Sequence, residues 1–349
     1  TLADDLATCD ATPGSYYVTS HTTIPLTLYV HPTDSTSPVS DSKLYEYPQR
    51  QYAIDAINAD GVQVSYVETT RNLHNNGSVA FARSPVLRFM TFSDGTVHNA
   101  YVGDGALLED CLATGKYYPL GTATLYVFNE NTPASLGVTF RRCRAVMDTY
   151  DATTTGFFGH RNVSGDFGTV RYEDCEVDNC NIAFAGSHAA AMVLTNPITT
   201  NCPVSLRCAN AINYTVSNPQ FEATIAGVAP RNIETAVAGA TISITGGSIA
   251  ADAPSSGNVA ALNNDTTIIL EDVSLTITNG TSATGNVFTN TGLSGLSLTY
   301  NNCRFVTNAG QNLRLLTAPT LGASNDNCFD RAGAFNSRFG GTAYSTIAD

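Results

Sequence analysis

Two groups of residues in this chain have the types and spacing to do chemistry. The first is Gly159-His160-Arg161-Asn162, an imidazole beside a guanidinium, preceded by Phe157 and Phe158 and flanked by the carboxylates Asp148, Asp151 and Asp166. A polysaccharide lyase needs a base for the proton beside a uronate carboxylate and a cation to neutralise that carboxylate, roles open to His160 and Arg161. A glycoside hydrolase needs two carboxyl groups roughly 5 to 9.5 Å apart, roles open to Asp148 and Asp166. The candidate catalytic set is therefore His160, Arg161, Asp166 and Asp148. The plainer reading of the His-Arg pair is a solvated surface pair.

The second group is a series of charged doublets. Glu109-Asp110, Arg141-Arg142 and Glu173-Asp174 each precede a cysteine (Cys111, Cys143, Cys175), and the three cysteines are 32 residues apart; Glu271-Asp272 repeats the acidic doublet later. Equal spacing implies one structural position, so stacking sets acid, base and acid in a row. That row is either a surface ladder, each exposed pair contributing about 0 to 1 kcal/mol, or a substrate-binding cluster. Glu109, Asp110, Arg141, Arg142, Glu173 and Asp174 would then grip a charged sugar. The ladder is the simpler reading.

Metal chemistry has little support. His21, His31, His74, His98 and His188 are dispersed, and no Cys/His grouping has zinc spacing. Acidic turns offer oxygen ligands to Ca²⁺, yet no DxDxDG-type loop is present. No cofactor is expected.

The elements that must hold these residues are written as a repeat. From about residue 106 a pattern recurs in seven copies: apolar, any, apolar, two polar residues, a small or apolar residue, any, apolar. Its sixth positions are Cys111, Cys143, Cys175, Pro219, Gly247, Val273 and Cys303, at intervals of 32, 32, 44, 28, 26 and 30. Each copy reads as a short strand, a bend at the polar pair and a second strand. A third short strand follows in five copies and ends in Asn129, Asn162, Asn196, Asn263 or Asn290. Three strands per repeat of about 30 residues predict the coil of a right-handed parallel β-helix. Its sixth positions face inward, stacked about 4.8 Å apart, and the strand-end asparagines form a second stack.

On those residues the chain resembles the right-handed parallel β-helices of the pectate-lyase-like group, which includes polysaccharide lyases, glycoside hydrolases and bacteriophage tailspikes. The resemblance spans roughly residues 62–316 and is one of architecture, without a matching catalytic motif. It implies a carbohydrate-recognising, tailspike-like protein, virion-borne or extracellular, assembled as a homotrimer and possessing or lacking activity on a surface polysaccharide. A secreted monomeric lyase and a non-catalytic adhesive protein are the alternatives.

The flanks read differently. Residues 1–9 suit a short helix, and residues 15–30 suit a strand pair broken around Ser20-His21. Residues 51–58 carry apolar side chains at helical spacing and predict a capping helix at the end of an N-terminal segment, 1–61. The tail lacks the pattern, so 317–349 reads as a C-terminal cap or assembly segment. Thr1 fits removal of either an initiator Met or a signal peptide.

Nine cysteines, four of them at one repeat position, favour buried free thiols over disulfides; Cys202 and Cys208 are spaced to close a small loop or to stay apart. The net charge of −13, with two lysines (Lys43 and Lys116), leaves no basic stripe for a phosphate backbone. No apolar run approaches the roughly 20 residues of a membrane span. Charge is scarce overall, 13% of residues. A solenoid repeats every position at strand spacing, where like charges repel.

Overall fold

Each polar doublet bends the chain because its second residue takes up left-handed backbone: Asp110 (φ 56°), Arg142 (50°), Asp174 (54°), Asn218 (52°), Asp272 (59°) and Asn302 (49°). Asp and Asn tolerate that region because a short polar side chain bonds locally. The freed backbone groups are satisfied by the next coil. Asp110 N donates to Arg141 O at 3.0 Å, Arg142 N to Glu173 O at 2.8 Å, and Asp174 N to Thr195 O at 2.9 Å.

The computed structural model describes residues 3, 5–13, 15–18, 28–31, 52–56, 59–70, 75–79, 83–95, 97–116, 123–130, 136–161, 168–186, 191–209, 212–225, 228–252, 258–262, 265–278, 286–290, 295–307, 313–315, 320–321, 326–331, 337–339 and 342–344. They form an all-β parallel solenoid. Strands before the bend build a first face, eleven strands deep, from Gln63–Ser65 to Thr320–Leu321. Strands after the bend build a second face, from Glu68–Thr70 to Cys328–Arg331. The third face runs from Tyr52–Asp55 to Ser337–Phe339. Two long strands, Arg144–Arg161 and Glu176–Gly186, turn the corner between second and third faces without a break. Parallel strands cannot be joined by a tight hairpin, so the other two faces serve as each strand's crossover.

In-register pairing stacks like side chains inside. Cys111, Cys143, Cys175, Val273 and Cys303 form the inward column at the bend, none more than 2% exposed. On the third face Tyr126, Phe157 and Phe184 stack at 4.7 and 5.2 Å between centroids, and on the first face Phe140 stacks on Tyr172 at 5.3 Å. The two columns meet edge to face, Phe157 against Tyr172 at 5.1 Å. Such pairs add about 0.5–1.5 kcal/mol beyond their burial. All nine cysteines are free, so Cys202 and Cys208, both buried, are not bridged.

Several expectations change. The 44-residue interval between Cys175 and Pro219 holds two coils, because Asn196-Pro197 is itself a bend 22 residues from each: Leu194 pairs with Tyr172 on one side and Val216 on the other. Asn196 thus belongs to the first bend rather than to the third face. The strand-end stack is also displaced, with Asn129 opposite His160 and Asn290 opposite Leu262, while Asn162 and Asn263 lie outside the described residues. The amide ladder runs along the bend instead. Asn196 Nδ2 donates to Asp174 Oδ1 at 2.8 Å, Asn218 Nδ2 to Asn196 Oδ1 at 3.1 Å, and Asn302 Nδ2 to Asp272 Oδ1 at 2.6 Å.

Within residues 51–58, Tyr52–Asp55 is a strand and not a helix, paired in parallel with Asn75–Val79. Tyr52, Ile54 and Ala56 also fit a period of two, and the open edge of the third face supplies the partner that decides it. The ladder likewise continues past residue 316: Cys328–Arg331 and Ser337–Phe339 add strands, and an antiparallel turn to Thr342–Tyr344 follows. At the other end the helix is Leu6–Ala11, capped by the Asp5 side chain accepting from Thr8 N at 2.6 Å, and Ser15–Val18 pairs antiparallel with Leu28–His31 as expected. No helix among the described residues is long and apolar enough to cross a membrane.

Candidate functional site

The charged doublets lie in register on the first face and its bend. Glu109 pairs with Arg88 on one side and Arg141 on the other, and Arg141 pairs onward with Glu173. The side chains follow the backbone: Arg88 Nε reaches Glu109 Oε2 at 2.8 Å, Arg141 Nη1 reaches Glu109 Oε1 at 3.2 Å, and Arg141 Nε reaches Glu173 Oε2 at 2.7 Å. Arg142 holds Asp110 with two bonds, 2.7 and 2.8 Å, and also touches Glu109 at 3.2 Å. Asp174 accepts from Asn196. One coil further along the second face, Arg144 pairs with Glu176 at 2.8 Å.

Three guanidinium groups around Glu109, Arg88 foremost, hold its carboxyl down at about 2. A carboxylate so engaged does not exchange protons near neutral pH, so Glu109 stands in the ladder as a fixed charge. Arg88 was hidden in the sequence because its copy of the repeat, Leu87-Arg88-Phe89-Met90, bends at an aromatic residue instead of a polar one.

Three of the four catalytic candidates, Asp148, His160 and Arg161, are distributed along one strand. Asp148 is exposed, near the corner where Arg144–Arg161 leaves the second face. His160 and Arg161 close the same strand on the third face, opposite Asn129 and Glu130. Their side chains, and Asp166 entirely, lie outside the described residues. No described contact joins Asp148 to His160.

The corner itself is the more organised place. The two following coils turn on a single left-handed residue, Asn179 (φ 59°) or Asn201 (53°). The coil of Arg144–Arg161 does not: it advances nine residues from Val146 to Thr155 where the following coil advances four, from Asp178 to Ile182, and the preceding coil advances ten between the same register partners, from Thr114 to Thr124. Extra residues in one strand of a pair re-aim side chains, and such bulges cluster beside active sites.

This bulge ties three coils together. Asp151 Oδ2 meets Lys116 Nζ of the preceding coil at 2.5 Å, and Asp151 Oδ1 accepts from Thr153 N at 2.8 Å and Thr153 Oγ1 at 2.6 Å. Lys116 Nζ also donates to Thr153 Oγ1 at 2.8 Å. Toward the following coil, the Tyr150 hydroxyl donates to Asn181 Oδ1 at 3.4 Å.

Two carboxylates of this corner are pushed in opposite directions. Burial works against ionisation of Asp151, but the bonds from Lys116 and Thr153 outweigh it and the pKa falls. Asp178 in the next coil is raised, first by burial and then by neighbouring Glu176, and its Oδ1 is buried without a hydrogen-bond partner among the described residues. Asp151 pairs with Cys180, two residues from Asp178. Opposed shifts of neighbouring groups are the usual basis for acid and base roles. Tyr150, raised by burial and then by Asp151, adds a phenol that stays protonated.

Neither Lys116 nor Asp178 was singled out by its surroundings in the sequence, although Lys116 is one of only two lysines. Among the described residues no group of three His, Cys, Asp or Glu side chains could hold a metal ion. Compared with known proteins, the chain matches no family model, no curated protein and no solved structure.

Proposed function

We propose that this solenoid recognises carbohydrate along its outer surface and hydrolyses it at the bulged corner, with Asp178 as general acid and Asp151 as the ionised carboxylate. The observation that carries the reading is the pair of aspartates in adjacent coils with opposed proton affinities at the bulged corner of Arg144–Arg161. Tyr150 beside them offers a ring face and a hydroxyl to a sugar. Hydrolysis is favoured over the elimination of a lyase because the cation at this corner, Lys116, already neutralises Asp151 and is not available for a uronate. The architecture's likeness to the pectate-lyase-like group and its tailspikes supports the choice of substrate class and extends to a homotrimer borne on a virion or cell exterior.

The test is incubation with a panel of acidic and neutral surface polysaccharides. Release of reducing ends without the ultraviolet absorbance of an unsaturated uronate is expected, abolished by Asp178→Asn and by Asp151→Asn in folded variants. An unsaturated product overturns hydrolysis. Binding without any cleavage leaves the second reading, a non-catalytic adhesin, which is favoured by the doublet residues being engaged with one another or with the amide ladder. Light scattering of the purified chain reads the oligomer.

A further inference from the structure

Arg171 stands apart from the arginines around it. Arg88, Arg141, Arg142 and Arg144 all hold carboxylates, whereas Arg171 has no ion-pair partner among the described residues. Its neighbours in register on the first face are Thr139 and Val193, neither of which is charged. Arg171 is exposed and makes no ion pair among the described residues, in a chain with 30 acidic residues against 17 basic ones.

This side chain borders a groove of about 300 Å³ where the chain enters the first face. Gly105 and Gly137 line it, and a Cβ on Gly137 would collide with Thr169 O, so that position cannot carry a side chain. Beside them stand the hydroxyl residues Ser84, Thr139 and Thr169 and the exposed Leu136. An apolar edge, several hydroxyls and one planar cation suit a ring that is apolar on one face, hydroxylated at its rim and anionic at one substituent. The volume is at the small end for ligand sites, enough for a single such unit.

We propose that this groove is a subsite for a carboxylated sugar residue, its carboxylate held bidentate by Arg171. The guanidinium fork matches carboxylate geometry with two parallel bonds, which an ammonium cannot do. Leu136 then meets the C–H face of the ring, and Thr139 and Thr169 its hydroxyls. The inference rests on the carbohydrate reading and adds the class of sugar.

Calorimetric titration tests it with tetragalacturonate and with the same oligomer after reduction of its carboxyl groups to alcohols. Wild type is expected to bind the acid at least ten-fold more tightly than the reduced form, and Arg171→Gln to lose that preference while keeping the wild-type melting temperature. Equal affinity for the two oligomers, unchanged acid binding by Arg171→Gln, or no binding of either oligomer overturns the groove assignment. The carbohydrate reading is judged separately: cleavage of a neutral polysaccharide, lost in Asp178→Asn, upholds it even when the groove assignment fails.

Discussion

Lys116 and Asp151 close an ion pair of 2.5 Å between adjacent coils, with 9% and 17% of their side chains exposed. Removing the lysine leaves a largely enclosed carboxylate with only Thr153 to satisfy it, the costly half of a broken buried pair. Lys116→Met, which keeps the aliphatic stem, is expected to cost of order 2 kcal/mol in urea denaturation and to abolish cleavage. An unchanged midpoint would show the pair to be solvated.

Acid stability should report the ladder. Glu109, held at about 2 against an ordinary value of 4.5, contributes stability that is complete above the ordinary value and is lost as pH falls from 4.5 toward 2. Asp110 and Asp151, both lowered, act in the same sense. Asp178, raised, acts oppositely and favours the folded state as it protonates above pH 3.8. Melting temperatures recorded in steps across this range should therefore fall steeply, and Glu109→Gln should flatten the slope. An equally steep profile in that variant would remove Glu109 as its source.

The amide ladder at the bend carries both a backbone preference and a chain of hydrogen bonds. Asn196 sits at φ 49° between Asp174 and Asn218. Asn196→Ala should lose roughly 1–2 kcal/mol, from the left-handed penalty of alanine and the missing bonds. Thr215→Ala, exposed on the following coil, serves as the neutral control in the same denaturation series.

Two buried tyrosines should respond in opposite ways to loss of their hydroxyls. Tyr126 is fully buried and its hydroxyl has no hydrogen-bond partner among the described residues, whereas the Tyr214 hydroxyl donates to Gly186 O at 3.2 Å. Tyr126→Phe is expected to be neutral or to stabilise by up to about 1 kcal/mol, and Tyr214→Phe to destabilise by about 1 kcal/mol. Calorimetric melts of the two variants decide it, and a loss in Tyr126→Phe equal to that in Tyr214→Phe would contradict the assignment.

Thiol titration checks the inward column. Eight of the nine cysteines are buried and Cys328 is exposed, so an aromatic disulfide reagent should modify one thiol per native chain and nine after denaturation. Fast reaction of a second thiol would place one of the stacked cysteines outside the core.

The repeat was legible in the sequence wherever its bend carried a polar doublet before a cysteine, because a parallel solenoid returns the same position to the same environment in every coil. That regularity sufficed for the fold, the inward thiols and the acid-base row of Glu109, Arg141 and Glu173. It failed where a coil kept the geometry with other residues: the copy from Met192 ends in Thr199 where the recognised copies end in an apolar residue, and Tyr66 and Phe89 bend with aromatic rings at φ 60° and 51°. Residues 51–58 fit both helical and strand periods, and only the unpaired edge of the third face selected the strand. The corner was out of reach for a different reason. Whether Val146 to Thr155 forms a plain strand or a bulge depends on how many residues the neighbouring coil takes over the same distance, and the proton affinities of Asp151 and Asp178 depend on Lys116, Thr153 and burial contributed from separate coils. Local sequence determines periodicity and bends; the environment of a titratable group is set by through-space neighbours that only the stacked coils bring together.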